Sequence, residues 1–477
     1  MPNWVHQLID GHEAAKPAVE EPWGDVLSYG DLRARAEAVE ADLRREGARP
    51  GDRVMLICEN CGDYVAMALA CSRLRAWFMP VNARHTEAEL TALRDHSQAR
   101  IVARTHGAEG LSYAPAAGDP EPVSEDPHQQ VAALLYTTGT TSAPKGVMLT
   151  HRNLTWNAAN SARLRGMRPD DLVLGVLPGS HAFGFSSTML ATLHRRACIR
   201  FLPRFEPQAV LDALAEGASV WPAVPQMYAA LLKYMEDRGA KLRAPHLHYI
   251  SAGGAPLDPD WKARVEAAFG LALNNGYGIT EAGPTVAATR VDAPRSDLSS
   301  GPAVWDVTLS IDGPDKDGVG EVLIDSPGVM KGYFRNPEAT AEALPRPGLL
   351  RSGDLGRLDP DGALFIEGRK KELIIRSGFN VYPPEIEGWL TKHPAVSVAA
   401  VVPHRRDGNE DILAFAMGDV GAEELANWLR QHLVGYKQPQ AIFMVDSLPA
   451  APTGKILKHK LISHFADEVR AWEEAQV

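Results

Sequence analysis

Cysteine is scarce: four in 477 residues are too few for a disulfide-built fold. They are Cys58, Cys61, Cys71 and Cys198, and the Cys58-Glu-Asn-Cys61 spacing has no second pair to complete a metal site. Incidental burial is the expected reading, together with a reducing, cytoplasmic compartment. No stretch approaches the ~20 apolar residues that a membrane span needs. Residues 1–13 have neither the basic start nor the apolar core of a secretory leader. An excess of cations is also absent. Lys and Arg number 49 against 60 Asp and Glu, a net charge of −11 that argues against non-specific nucleic-acid binding. No internal repeat or low-complexity tract is present. What remains is the composition of a soluble globular protein, 45% hydrophobic and 23% charged, too long for one compact core.

From residue 27 to about 311, strand-like runs at 54–58, 78–81, 101–103, 172–177, 199–202, 218–221 and 249–252 alternate with helical patterns at 31–45, 87–96, 207–216, 225–236 and 258–269. Such alternation predicts an α/β fold with parallel-rich sheets and helices packed on their faces. A Gly/Pro/Asp-rich section, 292–336, carries short β segments at 307–311 and 320–324 and predicts a small β unit. After Gly368-Arg369-Lys370-Lys371 the pattern restarts on a smaller scale. A strand at 372–375, helix 384–392, strands 396–402 and 412–417, helix 422–433 and strand 442–445 suffice for a compact α+β module. The expected division is therefore 1–370 and 371–477, with the boundary near Lys371.

The most informative stretch is Tyr136-Thr-Thr-Gly-Thr-Thr-Ser-Ala-Pro-Lys145-Gly146. It follows an apolar run, 131–135, that reads as a buried strand. Five hydroxyls (Thr137, Thr138, Thr140, Thr141, Ser142), two glycines (Gly139, Gly146) and Lys145 can offer backbone N–H groups, hydroxyl donors and a cation to a polyphosphate. It is not the kinase-type phosphate loop, because Lys145 is followed by glycine instead of Ser or Thr. Downstream come Ser251-Ala-Gly253-Gly254-Ala255-Pro256, Asn275-Gly276-Tyr277-Gly278-Ile-Thr280-Glu281, Ser352-Gly-Asp354, Gly368-Arg369 and Pro452-Thr-Gly-Lys455-Ile-Leu-Lys458.

Taken in order, these motifs resemble the adenylate-forming superfamily, in its acyl-CoA synthetase branch, from about Tyr29 to Lys458. Ser142 departs from the pattern, standing where the family more often has glycine. The resemblance implies a luciferase-like architecture: a large N-terminal ATP- and acyl-binding domain and a small mobile C-terminal domain bearing the catalytic lysine, Lys455. It implies ATP, Mg²⁺ and coenzyme A as cofactors and a small carboxylic acid as partner, and it is compatible with a homodimer. Gly254, Ala255 and Pro256 would line the adenine site, Asn275 would read the purine edge, and Tyr277 would stack on adenine with Gly278 giving it room. Thr280 would donate to the α-phosphate. Glu281, with Thr138, would hold Mg²⁺, which favours carboxylates plus substrate phosphates. Asp354 would accept from the ribose hydroxyls, Arg369 would contact ribose or phosphate, and Lys371 would be the hinge. Ser377, Gly378 and Phe379 would form the pantetheine channel.

On the acyl side, the segment Leu177-Pro-Gly-Ser-His181-Ala-Phe183-Gly184 matches the border of the pocket, with His181 as a gate. Amino-acid-activating relatives carry an aspartate there, so an amino-acid substrate is disfavoured. Gly253 and Gly276 would also face the acyl group, and malonate-specific relatives carry arginine at the latter position. Trp221 is expected to shorten the pocket, favouring short, medium or aryl acids; as an alternative it is a core tryptophan. Arg195-Arg196 stands where a glycine is usual nearby. The implied activity is an AMP-forming carboxylate–CoA ligase; an acyl-AMP ligase loading a carrier-protein thiol is the alternative.

Overall fold

The computed structural model describes residues 2–137, 145–254, 257–376, 379–406, 409–450 and 456–475, with backbone only at 406 and 409. Two mixed sheets carry most of residues 1–333. The seven-stranded sheet runs Gly332–Tyr333, Lys145–Thr150, Val131–Thr137, Trp77–Asn82, Arg53–Cys58, Ile101–Thr105, Leu111–Pro115. Its middle pairings are parallel and its edges antiparallel. The eight-stranded sheet runs Thr285–Ala288, Leu273–Gly278, Tyr249–Gly253, Val220–Ala223, Leu172–Gly175, Cys198–Phe201, Pro17–Glu20, Val26–Ser28, antiparallel only at its two ends.

The helix Gly62–Leu74 is wedged between these sheets. Its Tyr64 ring lies 5.8 Å from Phe78 of one sheet and 6.3 Å from Phe201 of the other. A helix covered on both sides must be apolar all round, and this one is buried along nearly its whole length. Cys58 and Cys61 sit at its entrance, buried and free, and burial pushes the Cys61 thiol up to about 12. Neither is a reactive thiolate at neutral pH.

A four-stranded antiparallel unit follows: Thr308–Asp312, Gly320–Asp325, Leu349–Leu358, Leu364–Arg369. Beyond the turn Lys370–Glu372 come the hairpin Ile374–Arg376/Phe379–Val381 and a three-stranded sheet of Val396–Arg406, Asn409–Gly418 and Ala441–Met444, packed by helices Pro383–Thr391 and Ala422–His432. Lys371 lies within that connecting turn.

Most expected elements recur with ends moved by a residue or two. The strand expected at 218–221 instead spans Val220–Ala223 and includes Pro222, a residue that propensity keeps out of strand interiors. Among the elements that went unread are the hairpin Pro17–Glu20/Val26–Ser28, the helix His151–Leu164 and the π-helix Phe183–Leu190. The strands are too short to show alternation, and a π-helix matches neither the 3.6 nor the 2.0 period. Arg196 adopts φ 62°, which explains why glycine suits that neighbourhood.

Candidate active site

The polar hydroxyl motif bridges two strands of the seven-stranded sheet. Thr137 pairs with Lys145 and Tyr136 with Gly146 in antiparallel register. Thr138, Gly139, Thr140, Thr141 and Ser142 lie outside the described residues, as do Ala255, Pro256, Ser377, Gly378 and Lys455. Gly146 has a packing reason to follow Lys145: a Cβ there would lie 3.0 Å from Leu134 and 3.3 Å from Tyr136. The Lys145 ammonium stands 4.8 Å from the ring centroid of Tyr333.

Tyr333 was not foreseen. It belongs to the two-residue edge strand beside Lys145–Thr150, paired with Val147. Its hydroxyl donates to Glu281 Oε1 at 2.9 Å. The available signal was Lys331-Gly-Tyr-Phe-Arg-Asn336-Pro337, an aromatic pair between a glycine and a helix start that Asn336 caps. Glu281 rides on the short 3₁₀ turn Thr280–Ala282, which directly follows the strand Leu273–Gly278 and is tied down by Met330 N–H donating to the Glu281 carbonyl at 2.8 Å. Thr280 opens the same turn.

The Asp354 carboxylate is buried, and both oxygens are engaged. Arg369 Nε reaches Oδ1 at 2.7 Å and the Tyr277 hydroxyl donates to Oδ2 at 2.5 Å. The first contact is built into the hairpin, because Asp354 and Arg369 are direct cross-strand partners. Burial, then the Asp354 charge, pushes the Tyr277 phenol well above its ordinary range, so it remains a donor. Burial opposes the charge of Arg369, but Asp354, Tyr277 and Glu281 together outweigh it and hold the guanidinium above its usual pKa. Arg369 thus senses both the Asp354 and the Glu281 carboxylates.

Two expectations in this strand need correcting. The Asn275 carboxamide is consumed internally: Nδ2 donates to the carbonyls of Leu298 and Ser299, and Oδ1 accepts from Gly276 N–H at 2.9 Å. It is a buried staple and does not present a purine-reading edge. Gly278 is required less for room around Tyr277 than for its own backbone, since a Cβ would sit 2.3 Å from the Pro284 carbonyl oxygen.

On the acyl side, Gly253 and Gly276 are register partners in adjacent parallel strands. A Cβ on Gly253 would meet the Phe183 ring at 3.4 Å. Phe183 opens the π-helix, and His181 is exposed just before it, with its backbone bonded to Pro178 and Phe185. Trp221 is elsewhere. It pairs with Ile250, three residues before Gly253 and so on the opposite face of the sheet. There it packs 4.4 Å from Tyr228 and 5.8 Å from Phe269, fully buried among the helices Pro225–Arg238 and Pro259–Phe269. Trp221 is core and not a pocket floor.

Beyond the connecting turn, Lys458 reaches Glu372 at 3.0 Å and Glu387 at 2.7 Å, while Phe379 stacks on Tyr436 at 4.5 Å. Among the described residues no group of three or more His, Cys, Asp or Glu could hold a metal by itself. No helix of the described residues is long and apolar enough to cross a membrane.

Comparison with known proteins agrees with this geometry. The model of the AMP-binding enzyme family matches residues 9–334, and that of the AMP-binding enzyme C-terminal domain matches residues 385–455. A feruloyl-CoA synthase from an Amycolatopsis species is 35% identical over 468 residues, spanning 93% of this chain and 94% of that protein. 4-Coumarate–CoA ligase 5 of Oryza sativa subsp. japonica is 33% identical, spanning 94% and 91%. The crystal structure of ATP-bound MatB from Rhodopseudomonas palustris superposes with a TM-score of 0.87 at 29% identity, covering 98% of this chain and 100% of that one.

Proposed function

We propose, from the premise that the chain belongs to the AMP-binding enzyme family, that it is an AMP-forming acid–CoA ligase whose acid is an aryl carboxylate. ATP, Mg²⁺ and coenzyme A are its cofactors. A carboxylate is a poor electrophile, so the acid is first activated: its oxygen attacks the α-phosphorus of ATP, the α–β bridging bond breaks, and pyrophosphate leaves. The CoA sulfur then attacks the acyl carbon, loses its proton and displaces AMP.

The observation that carries this reading is the buried Asp354 carboxylate, gripped by Arg369 and Tyr277. A ribose diol presents two donors to one such carboxylate. Lys145 neutralises phosphate charge, Thr280 donates to the α-phosphate, and Glu281 holds Mg²⁺, which supplies charge neutralisation on the departing pyrophosphate. The first step then depends on positioning and fixed charge. Lys455 completes it from the small domain of residues 371–477, which turns about Lys371 between half-reactions.

An aryl acid is favoured by the feruloyl and 4-coumarate relatives. The four free, buried cysteines suit a reducing cytoplasm; light scattering decides whether the enzyme pairs as a homodimer. The test is acid-dependent pyrophosphate exchange and CoA-dependent AMP release across benzoates, cinnamates, straight-chain acids and dicarboxylates. Faster turnover of straight-chain acids than of any aryl acid overturns the substrate class. Absence of exchange with every acid overturns the enzyme. Lys455→Ala is expected to slow adenylation by about 10²-fold while still converting synthetic acyl-adenylate to acyl-CoA; equal loss of both steps removes Lys455 from that role.

A further inference from the structure

A site for Mg·ATP must hold a carboxylate for the metal and an ammonium for the phosphates, and before ATP arrives those two charges attract each other. At about 4 Å an ion pair gains roughly 1–4 kcal/mol, depending on how much water screens it. Collapse into such a pair would occupy both groups. Here the carboxylate, Glu281, follows a strand of the eight-stranded sheet, whereas the ammonium, Lys145, begins a strand of the seven-stranded sheet. Tyr333 contacts both. Its hydroxyl donates to Glu281 Oε1 at 2.9 Å, and its ring centroid lies 4.8 Å from Lys145 Nζ.

The chemistry of each contact suits temporary custody. A phenol hydroxyl bound to one carboxylate oxygen fixes the group's orientation and leaves the other oxygen available to a cation. A ring face attracts an ammonium by roughly 0.5–2 kcal/mol, less than a polyphosphate offers. Tyr333 is itself held firmly. Its strand pairs with Lys145–Thr150, and its N–H donates to Thr340 Oγ1 at 2.9 Å. Among the described residues, Lys145 and Glu281 form no ion pair with each other.

We propose that Tyr333 is a positioning residue that separates the Glu281 carboxylate from the Lys145 ammonium, leaving the first for Mg²⁺ and the second for the ATP phosphates. This rests on the reading of Lys145 and Glu281 as the Mg·ATP site.

Tyr333→Phe keeps the ring and removes only the hydroxyl. It is expected to raise the Mg²⁺ concentration for half-maximal pyrophosphate exchange by about tenfold, the size of a lost hydrogen bond to a charged group, with high Mg²⁺ recovering most of the rate. Tyr333→Leu removes both contacts and lets the charges pair, so the ATP Kd, measured by calorimetry, rises by about tenfold as well. Adding Glu281→Gln to Tyr333→Leu removes the competing carboxylate and should tighten the binding of ATP measured without Mg²⁺, relative to Tyr333→Leu alone. That reversal is something a merely structural tyrosine would not produce. An unchanged Mg²⁺ dependence in Tyr333→Phe, or a double variant binding no tighter than Tyr333→Leu, overturns the separator. Single variants Lys145→Ala and Glu281→Gln with unaltered ATP and Mg²⁺ dependence would instead overturn the site beneath it.

Discussion

Lys145 and Lys458 both stand in lysine- and glycine-bearing motifs, and the fold treats them in opposite ways. Lys145 begins an edge-proximal strand and rests over the Tyr333 ring. Lys458 is largely buried between Glu372 of the connecting turn and Glu387 of the helix Pro383–Thr391. Burial works against the Lys458 charge, but the two glutamates outweigh it and raise its pKa. A lysine matched by two carboxylates of its own chain is a brace, because its charge is already spent. One balanced by a ring quadrupole keeps its charge for a substrate. The aromatics repeat the lesson: Trp221 is surrounded by its own core, whereas Phe183 stands against bare glycine backbone.

The contrast can be broken at four points. Trp221→Ala should cost about 3–5 kcal/mol by denaturant unfolding, as large-to-small core changes do, and leave the acid preference unchanged; a shifted preference would return Trp221 to the pocket. Lys145→Ala should lower acid-dependent pyrophosphate exchange by about 10²-fold or more, with unfolding free energy within about 0.5 kcal/mol of wild type. A marked loss of stability would make Lys145 a brace like Lys458.

Lys458→Met should do the reverse, destabilising by roughly 2–3 kcal/mol at pH 7 because two glutamates are left without their cation. The pH dependence carries a sign. Burial already raises the Glu387 pKa above the ordinary range, so the folded state holds a proton that the unfolded chain releases. Stability therefore rises as pH falls through that window, and the Lys458→Met deficit should shrink from pH 7 toward about pH 5. The raised pKa of Lys458 gives the opposite edge: its contribution is fully present below about pH 10.4 and is lost as pH climbs beyond. A pH-independent deficit would mean that packing, not charge, is what Lys458 supplies. The smallest expected effect is Asp354→Ala, an increase of about tenfold in the ATP KM from lost charge-assisted hydrogen bonds; an unchanged KM would place Asp354 with the structural pairs.

The candidate residues were legible in residue order, but their partners were not. The Asp354–Arg369 pair could have been anticipated, since Asp359-Pro-Asp-Gly362 makes the turn that brings them opposite each other. Asn275 could not. Its carboxamide is satisfied by carbonyls of a loop more than twenty residues on, and no local pattern announces that. Trp221 was ambiguous for a reason intrinsic to parallel sheets: both faces are covered, so alternation between apolar and polar is lost and parity does not say which face meets the acyl group.

Strand–helix alternation by itself pointed to an α/β fold, and motif order, through its resemblance to a known family, to an adenylating enzyme, because phosphate loops, glycine turns and alternation are written locally. Only the tertiary structure decided which carboxylate meets which cation. Tyr333 joins Lys145 through an edge pairing and Glu281 through a hydroxyl, and contacts between distant segments follow from sheet topology, not from the residues on either side.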